Sequence, residues 1–119
     1  MNRIEIDVLT SRQALAAFSK AWRRTASGKS VAPRLAFGSL RELFSAVTEK
    51  RLELLRYVGA HDGLNTRRLA HGLGRDYKNV YMDVAELTEL GLLEKDGHGA
   101  LSVPFDEIVI HAGIRGAAA

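Results

Sequence analysis

Residues 65–91 read NTRRLAHGLGRDYKNVYMDVAELTELG. Asn65 is a favoured N-cap residue, with a side-chain oxygen that can take up a free amide of a first helical turn. The run from Thr66 to Leu73 behind it sets Leu69, Ala70 and Leu73 on one inward helical face. Gly74 stops that helix, because glycine adopts the left-handed conformation of a tight turn without steric cost. Asp76 then caps a second helix, Tyr77 to about Leu90, with Val80, Val84 and Leu87 on its buried face. Gly91 ends it. Two helices joined by a short glycine turn make the helix-turn-helix pattern.

Downstream, the period changes. Leu92 and Leu93 lead into Glu94-Lys95-Asp96-Gly97-His98-Gly99, a hairpin signal, and Leu101 and Val103 alternate on the return strand. A hairpin in this place is a wing. Pro104 closes it, and Ile108, Val109 and Ile110 offer a further strand. Upstream, Thr48 caps a helix striped by Leu52, Leu55 and Val58, which Gly59 to Gly63 breaks. Ser39 and Glu42 have capping-box spacing, with Leu40, Leu43, Phe44 and Val47 on one face behind them. Ala26 to Pro33 is a small, polar loop. Before it, Ile4, Ile6 and Val8 alternate as a half-buried strand, and Leu15, Phe18 and Trp22 stripe an amphipathic helix. The pattern predicts an α+β, mainly α fold: a winged helix-turn-helix domain over 35–111, an N-terminal strand, helix and basic loop over 1–34, and a featureless tail over 112–119.

The bulk composition fits one domain. The chain has 119 residues, 46% of them hydrophobic and 26% charged, enough for a core without disulfides or metal. With no cysteine, a disulfide framework, a thiolate zinc site and a cysteine nucleophile are excluded. The sequence has no run of about 20 apolar residues and no apolar signal core near its start, so the expectation is a cytoplasmic protein with no membrane partner. The net charge of +3 is unevenly spread: residues 1–47 carry eight Lys/Arg against three Asp/Glu, and residues 77–119 carry three against seven. A basic front half suits a protein that meets phosphates.

From Ser39 onward the chain resembles a family. The likeness lies in Leu52-Glu53-Leu54-Leu55-Arg56, Thr66-Arg67-Arg68-Leu69-Ala70, Leu73-Gly74-Arg75-Asp76-Tyr77-Lys78-Asn79-Val80, Asp83-Val84, Leu87-Thr88-Glu89-Leu90-Gly91-Leu92-Leu93 and Val103-Pro104-Phe105-Asp106-Glu107-Ile108. These residues resemble short prokaryotic winged-helix regulators related to MarR and ArsR, some of them antitoxins paired with TumE-type toxins. The resemblance implies autorepression as a dimer and, for the antitoxin members, neutralisation of a cognate toxin protein.

In such domains the second helix enters the major groove of double-stranded DNA with its first turns on the base edges. The residues expected there are Tyr77, Lys78, Asn79, Tyr81 and Met82, with Asn79 suited to adenine and Lys78 to guanine or phosphate. Arg67, Arg68 and Arg75 are expected on phosphates, which fix register without reading sequence. Each has a plainer role open to it: Tyr77 can pack on Leu73, Asn79 can satisfy backbone groups, and Arg67 with Arg68 can be a solvated face. The wing tip has Lys95 and His98 beside Glu94 and Asp96, a mixed-charge tip poorly suited to the minor groove. The basic arm Arg23, Arg24, Lys29 and Arg34 is either a second phosphate contact or a charged loop. Ile4, Ile6, Leu15, Phe18 and Trp22 are the expected homodimer contacts.

Other chemistry is unsupported. Gly28-Lys29-Ser30 lacks the upstream glycine of a phosphate-binding loop, since position 23 is arginine. His61, His71, His98 and His111 form no zinc-protease spacing. No cofactor, metal or enzymatic activity is expected. The competing reading is a protein-interaction module on a winged-helix scaffold, which the mixed-charge wing and acidic C-terminal half favour.

Overall fold

The computed structural model describes residues 2–9, 12, 15 and 33–113. Its elements run β1 (Arg3–Val8), β2 (Arg34–Phe37), α1 (Leu40–Ala46), α2 (Glu49–Ala60), α3 (Thr66–Leu73), α4 (Tyr77–Glu89), β3 (Glu94–Lys95), β4 (Leu101–Ser102) and β5 (Glu107–His111). The fold is α+β. It divides into two units, Met1–Ser45 with Glu107–Ala119, and Ala46–Asp106. Strand β5 belongs with the N-terminal strand β1 and not with the hairpin.

The first unit holds a three-stranded sheet in the order β2-β1-β5. Both pairings are parallel, with Ile6 opposite Leu35 on one side and Ile110 on the other. Strand alternation gathers Ile4, Ile6, Val8, Leu35, Phe37, Ile108 and Ile110 on one face. Ile4 and Ile6 are buried there, 4% and 0% exposed. On the other face Arg34 meets Asp7 at 3.0 Å and Glu5 at 3.4 Å, and Glu5 meets His111 at 2.9 Å. His111 foremost, with Arg34 adding to it, holds the Glu5 carboxyl below its ordinary value.

Helix α1 starts on Ser39, whose Oγ accepts the Glu42 amide at 3.1 Å, while the Glu42 carboxylate accepts the Gly38 amide at 3.0 Å. The reciprocal bond thus lands one residue before the cap. The expected single apolar face is not realised. Leu43 is buried within the helix and Val47 beyond its end at Ala46, but Leu40 and Phe44 are 45% and 62% exposed.

The second unit packs α3 against both α2 and α4, with β4 against α2. Its core is Leu54, Leu55 and Val58 from α2, Leu69 and Ala70 from α3, Val80, Val84 and Leu87 from α4, then Leu92, Leu93 and Leu101. Each fully buried leucine or valine contributes about 1.5–3 kcal/mol. The α2 stripe differs from the expected one. Arg51, Leu54, Leu55 and Val58 are its buried positions, and Leu52 lies half-exposed. The expected caps form: Thr48 accepts the Arg51 amide and Asn65 the Arg68 amide. Strands β3 and β4 pair antiparallel, Glu94 with Ser102 and Lys95 with Leu101. The Leu101 amide donates to the Leu64 carbonyl at 2.8 Å, tying β4 to the α2–α3 connection. Among the described residues no helix is long and apolar enough to cross a membrane.

Candidate nucleic-acid interface

The start of α4 is fixed by the turn before it. Gly74 sits at φ 64°, ψ 34°, in the left-handed region. Its amide donates to the His71 carbonyl at 3.1 Å, and the Arg75 amide donates to the Ala70 carbonyl at 3.0 Å. That pair of bonds is a Schellman closure of α3. One residue on, the Asp76 carboxylate accepts the Asn79 amide at 3.3 Å and caps α4. A second closure follows α4, with Gly91 at φ 81° donating to Thr88 and Leu92 donating to Leu87. Both helices therefore have defined ends, and α4 leaves the turn in one direction.

Its first turns are open to solvent. Tyr77, Tyr81 and Met82 are 42%, 51% and 53% exposed, and Lys78 and Asn79 are exposed with them. Among the described residues of Ala46–Asp106, these three are the exposed large apolar side chains. The Arg67 guanidinium lies over the Tyr77 ring, 4.9 Å from its centroid, and the Tyr77 and Tyr81 rings stand 6.0 Å apart at 42°. A cation–π contact at such a site contributes about 0.5–1 kcal/mol. It holds Arg67 against α4, so α3 and α4 present one row of Arg67, Tyr77 and Tyr81. Arg68 is exposed on α3. Tyr77 thus meets a cation from α3, while Val80, Val84 and Leu87 fill the core as their spacing predicts.

The other edge of α4 is closed by ion pairs. Asp83 takes Arg51 Nε at 3.0 Å and Arg75 Nη2 at 2.8 Å, one on each carboxylate oxygen. Arg51 also donates to the Ala46 carbonyl at 2.8 Å and to Glu86. Burial alone would lower the Arg51 pKa; the bonds to Asp83 and Glu86 reverse that and raise it. Arg51 was missed as a site-building residue, although it pins α2 to α4. The expectation of a phosphate contact for Arg75 does not fit this geometry, because its Nη2 is held by Asp83 and its Nη1 is buried without a partner among the described residues.

The hairpin turn is also ordered by a carboxylate. Asp96 accepts the His98 amide at 2.8 Å and the Ala100 amide at 2.9 Å, and these bonds, Ala100 foremost, hold its carboxyl below the usual aspartate range. Asp96 is thereby turned onto its own backbone, and Lys95 and His98 stay exposed at the tip. Of the expected dimer contacts, Ile4 and Ile6 need correction: their side chains are buried in a single chain and offer no surface to a second copy. Leu15 is 68% exposed; Phe18 and Trp22 lie outside the described residues. So do Arg23, Arg24 and Lys29 of the basic arm, whose remaining member Arg34 is paired with Asp7 and Glu5.

A family profile named HVO_A0114 matches residues 46–110, more than half of the chain. The chain belongs to the HVO_A0114 family. The matched segment takes in α2, α3, α4, the hairpin and most of β5, so the turn at Gly74 and the open face of α4 both lie inside the HVO_A0114 region. Neither the curated proteins nor the solved structures contain a match to this chain.

Proposed function

We propose that this HVO_A0114 protein is a winged helix-turn-helix repressor that binds double-stranded DNA with α4 in the major groove. One observation carries the reading: α4 follows a three-residue glycine turn after α3 and exposes Tyr77, Lys78, Asn79, Tyr81 and Met82 on its first two turns. Those side chains have donors, acceptors and apolar surface suited to base edges. Arg67 and Arg68 on α3 supply phosphate contacts beside them. The antiparallel β3–β4 hairpin after α4 is the wing, with Lys95 and His98 at its tip.

The resemblance to MarR- and ArsR-related regulators supports autorepression as a homodimer, on an inverted repeat with half-sites about 34–36 Å apart. Among the described residues of the expected dimer contacts, Leu15 is exposed. A partner protein, such as a cognate toxin, is the second reading. It is favoured by Leu40 and Phe44, which lie four residues apart on α1 with 45% and 62% of their surface exposed.

Salt separates the two. Titration of the protein into its own upstream duplex at rising salt tests phosphate contact directly. Arg67 and Arg68 from two subunits give a slope of log K against log[salt] of about −3 to −4. Absence of any duplex binding at low salt would overturn the repressor reading in favour of the partner protein.

A further inference from the structure

We infer that α4 reads the methyl groups of thymine, so that the preferred half-site is rich in A·T pairs. The inference rests on the DNA-binding reading and specifies its substrate. In the major groove guanine is read chiefly by a bidentate arginine or lysine, adenine by asparagine or glutamine, and thymine by apolar contact with its C5-methyl group. The open side chains on the first two turns of α4 are Tyr77, Lys78, Asn79, Tyr81 and Met82. Asn79 matches adenine. Tyr81 and Met82, each about half exposed, match thymine methyls.

The guanine-reading chemistry is largely committed elsewhere. Arg75, the arginine nearest the start of α4, is held by Asp83 at 2.8 Å. Arg67 lies over the Tyr77 ring. Arg68 is exposed on α3 and, with Arg67, is assigned to phosphates, so Lys78 is the cation on α4 itself left for one guanine edge or one phosphate.

The placement of apolar surface points the same way. The exposed large apolar side chains described in this unit fall within Tyr77–Met82, on the helix that faces the groove in the proposed mode. Tyr77 and Tyr81 stand side by side there, and in the major groove the thymine methyl supplies an apolar counterpart.

The test uses the full chain and a pool of random duplexes. Bound duplexes are selected, and each thymine of the recovered site is then replaced in turn by deoxyuridine, which removes only the methyl group. The expected result is an A·T-rich site in which each contacted methyl is worth about fourfold in affinity, the equivalent of burying one methylene. That loss disappears in Tyr81→Ala or Met82→Ala, whose side chains are exposed and leave the core intact. A G·C-rich site, or a site indifferent to deoxyuridine, would overturn the methyl inference and leave DNA binding standing. No recovery of any duplex at low salt would overturn the DNA-binding reading, and the methyl inference with it.

Discussion

Two clusters of opposite charge use the same residue types to different ends. In the helical unit, Asp83 is shared by Arg51 and Arg75, with side chains 15%, 11% and 21% exposed. In the sheet unit, Arg34 joins Asp7 and Glu5, but the guanidinium side is 44% exposed. Part-buried, a shared carboxylate fixes the relation of α2, the turn and α4; more exposed, the same pairing sits in high dielectric and adds little. The comparison also bears on DNA. Arg75 and Arg34 were both candidate phosphate contacts, and carboxylates hold both. The cations left open beside α4 are Arg68 and Lys78, with Arg67 on the Tyr77 ring.

The largest expected effect comes from removing the shared carboxylate. Asp83→Ala strips Arg75 of its carboxylate and leaves Arg51 with Glu86 and the Ala46 carbonyl, at a cost of about 3 kcal/mol read from the urea midpoint. Its exposed neighbour Met82→Ala should change stability by less than about 0.5 kcal/mol. Equal effects at the two positions would erase the distinction between the clusters. Arg75→Ala comes next, at about 1.5 kcal/mol for one charge-assisted bond. It should leave the salt slope of duplex binding unchanged, whereas Arg68→Ala should flatten that slope by about 1 per subunit. A flatter slope in Arg75→Ala would return Arg75 to the phosphates.

Smaller effects belong to the sheet. Arg34→Ala should cost under about 1 kcal/mol, since its pairs are screened by solvent; a loss as large as that of Asp83→Ala would contradict the comparison. The Glu5 carboxyl is held below its ordinary 4.5 by His111, then Arg34. A depressed carboxylate contributes stability that is complete above its unfolded value and lost as pH falls through its folded value. Wild-type stability should therefore fall more steeply below about pH 4.5 than that of Glu5→Gln. Parallel profiles from pH 6 to 3 would show that the Glu5–His111 pair contributes nothing.

Much of the helical unit is legible in the sequence because its signals are local. Asn65, Gly74, Asp76 and Gly91 punctuate α3 and α4, and Val80, Val84 and Leu87 keep helical spacing. The ion cluster is legible too, in the placement of its charges. Arg51 falls in register with Leu54, Leu55 and Val58, and Asp83 with Val80, Val84 and Leu87. Opposite charges on two buried stripes call for each other. The sheet was harder to read. β2 is only four residues, too short for alternation to stand out, and its partner β1 lies about thirty residues away. The pairing of β5 with β1 spans more than a hundred residues, and no local rule encodes it. Leu40 and Phe44 misled for a related reason: a seven-residue helix has too few turns for its stripe to decide what is covered.

The open face of α4 carries the functional account, and one pair of measurements tests it most directly. Wild type and the Lys78→Ala/Asn79→Ala double variant are each titrated into the protein's own upstream duplex at low salt, with circular dichroism and urea midpoints recorded alongside. Both positions are exposed, so the variant should keep its fold to within about 0.5 kcal/mol. The account predicts that the folded variant loses duplex binding by at least about 30-fold, one good base contact together with a phosphate contact. A folded variant that binds as tightly as wild type would contradict it.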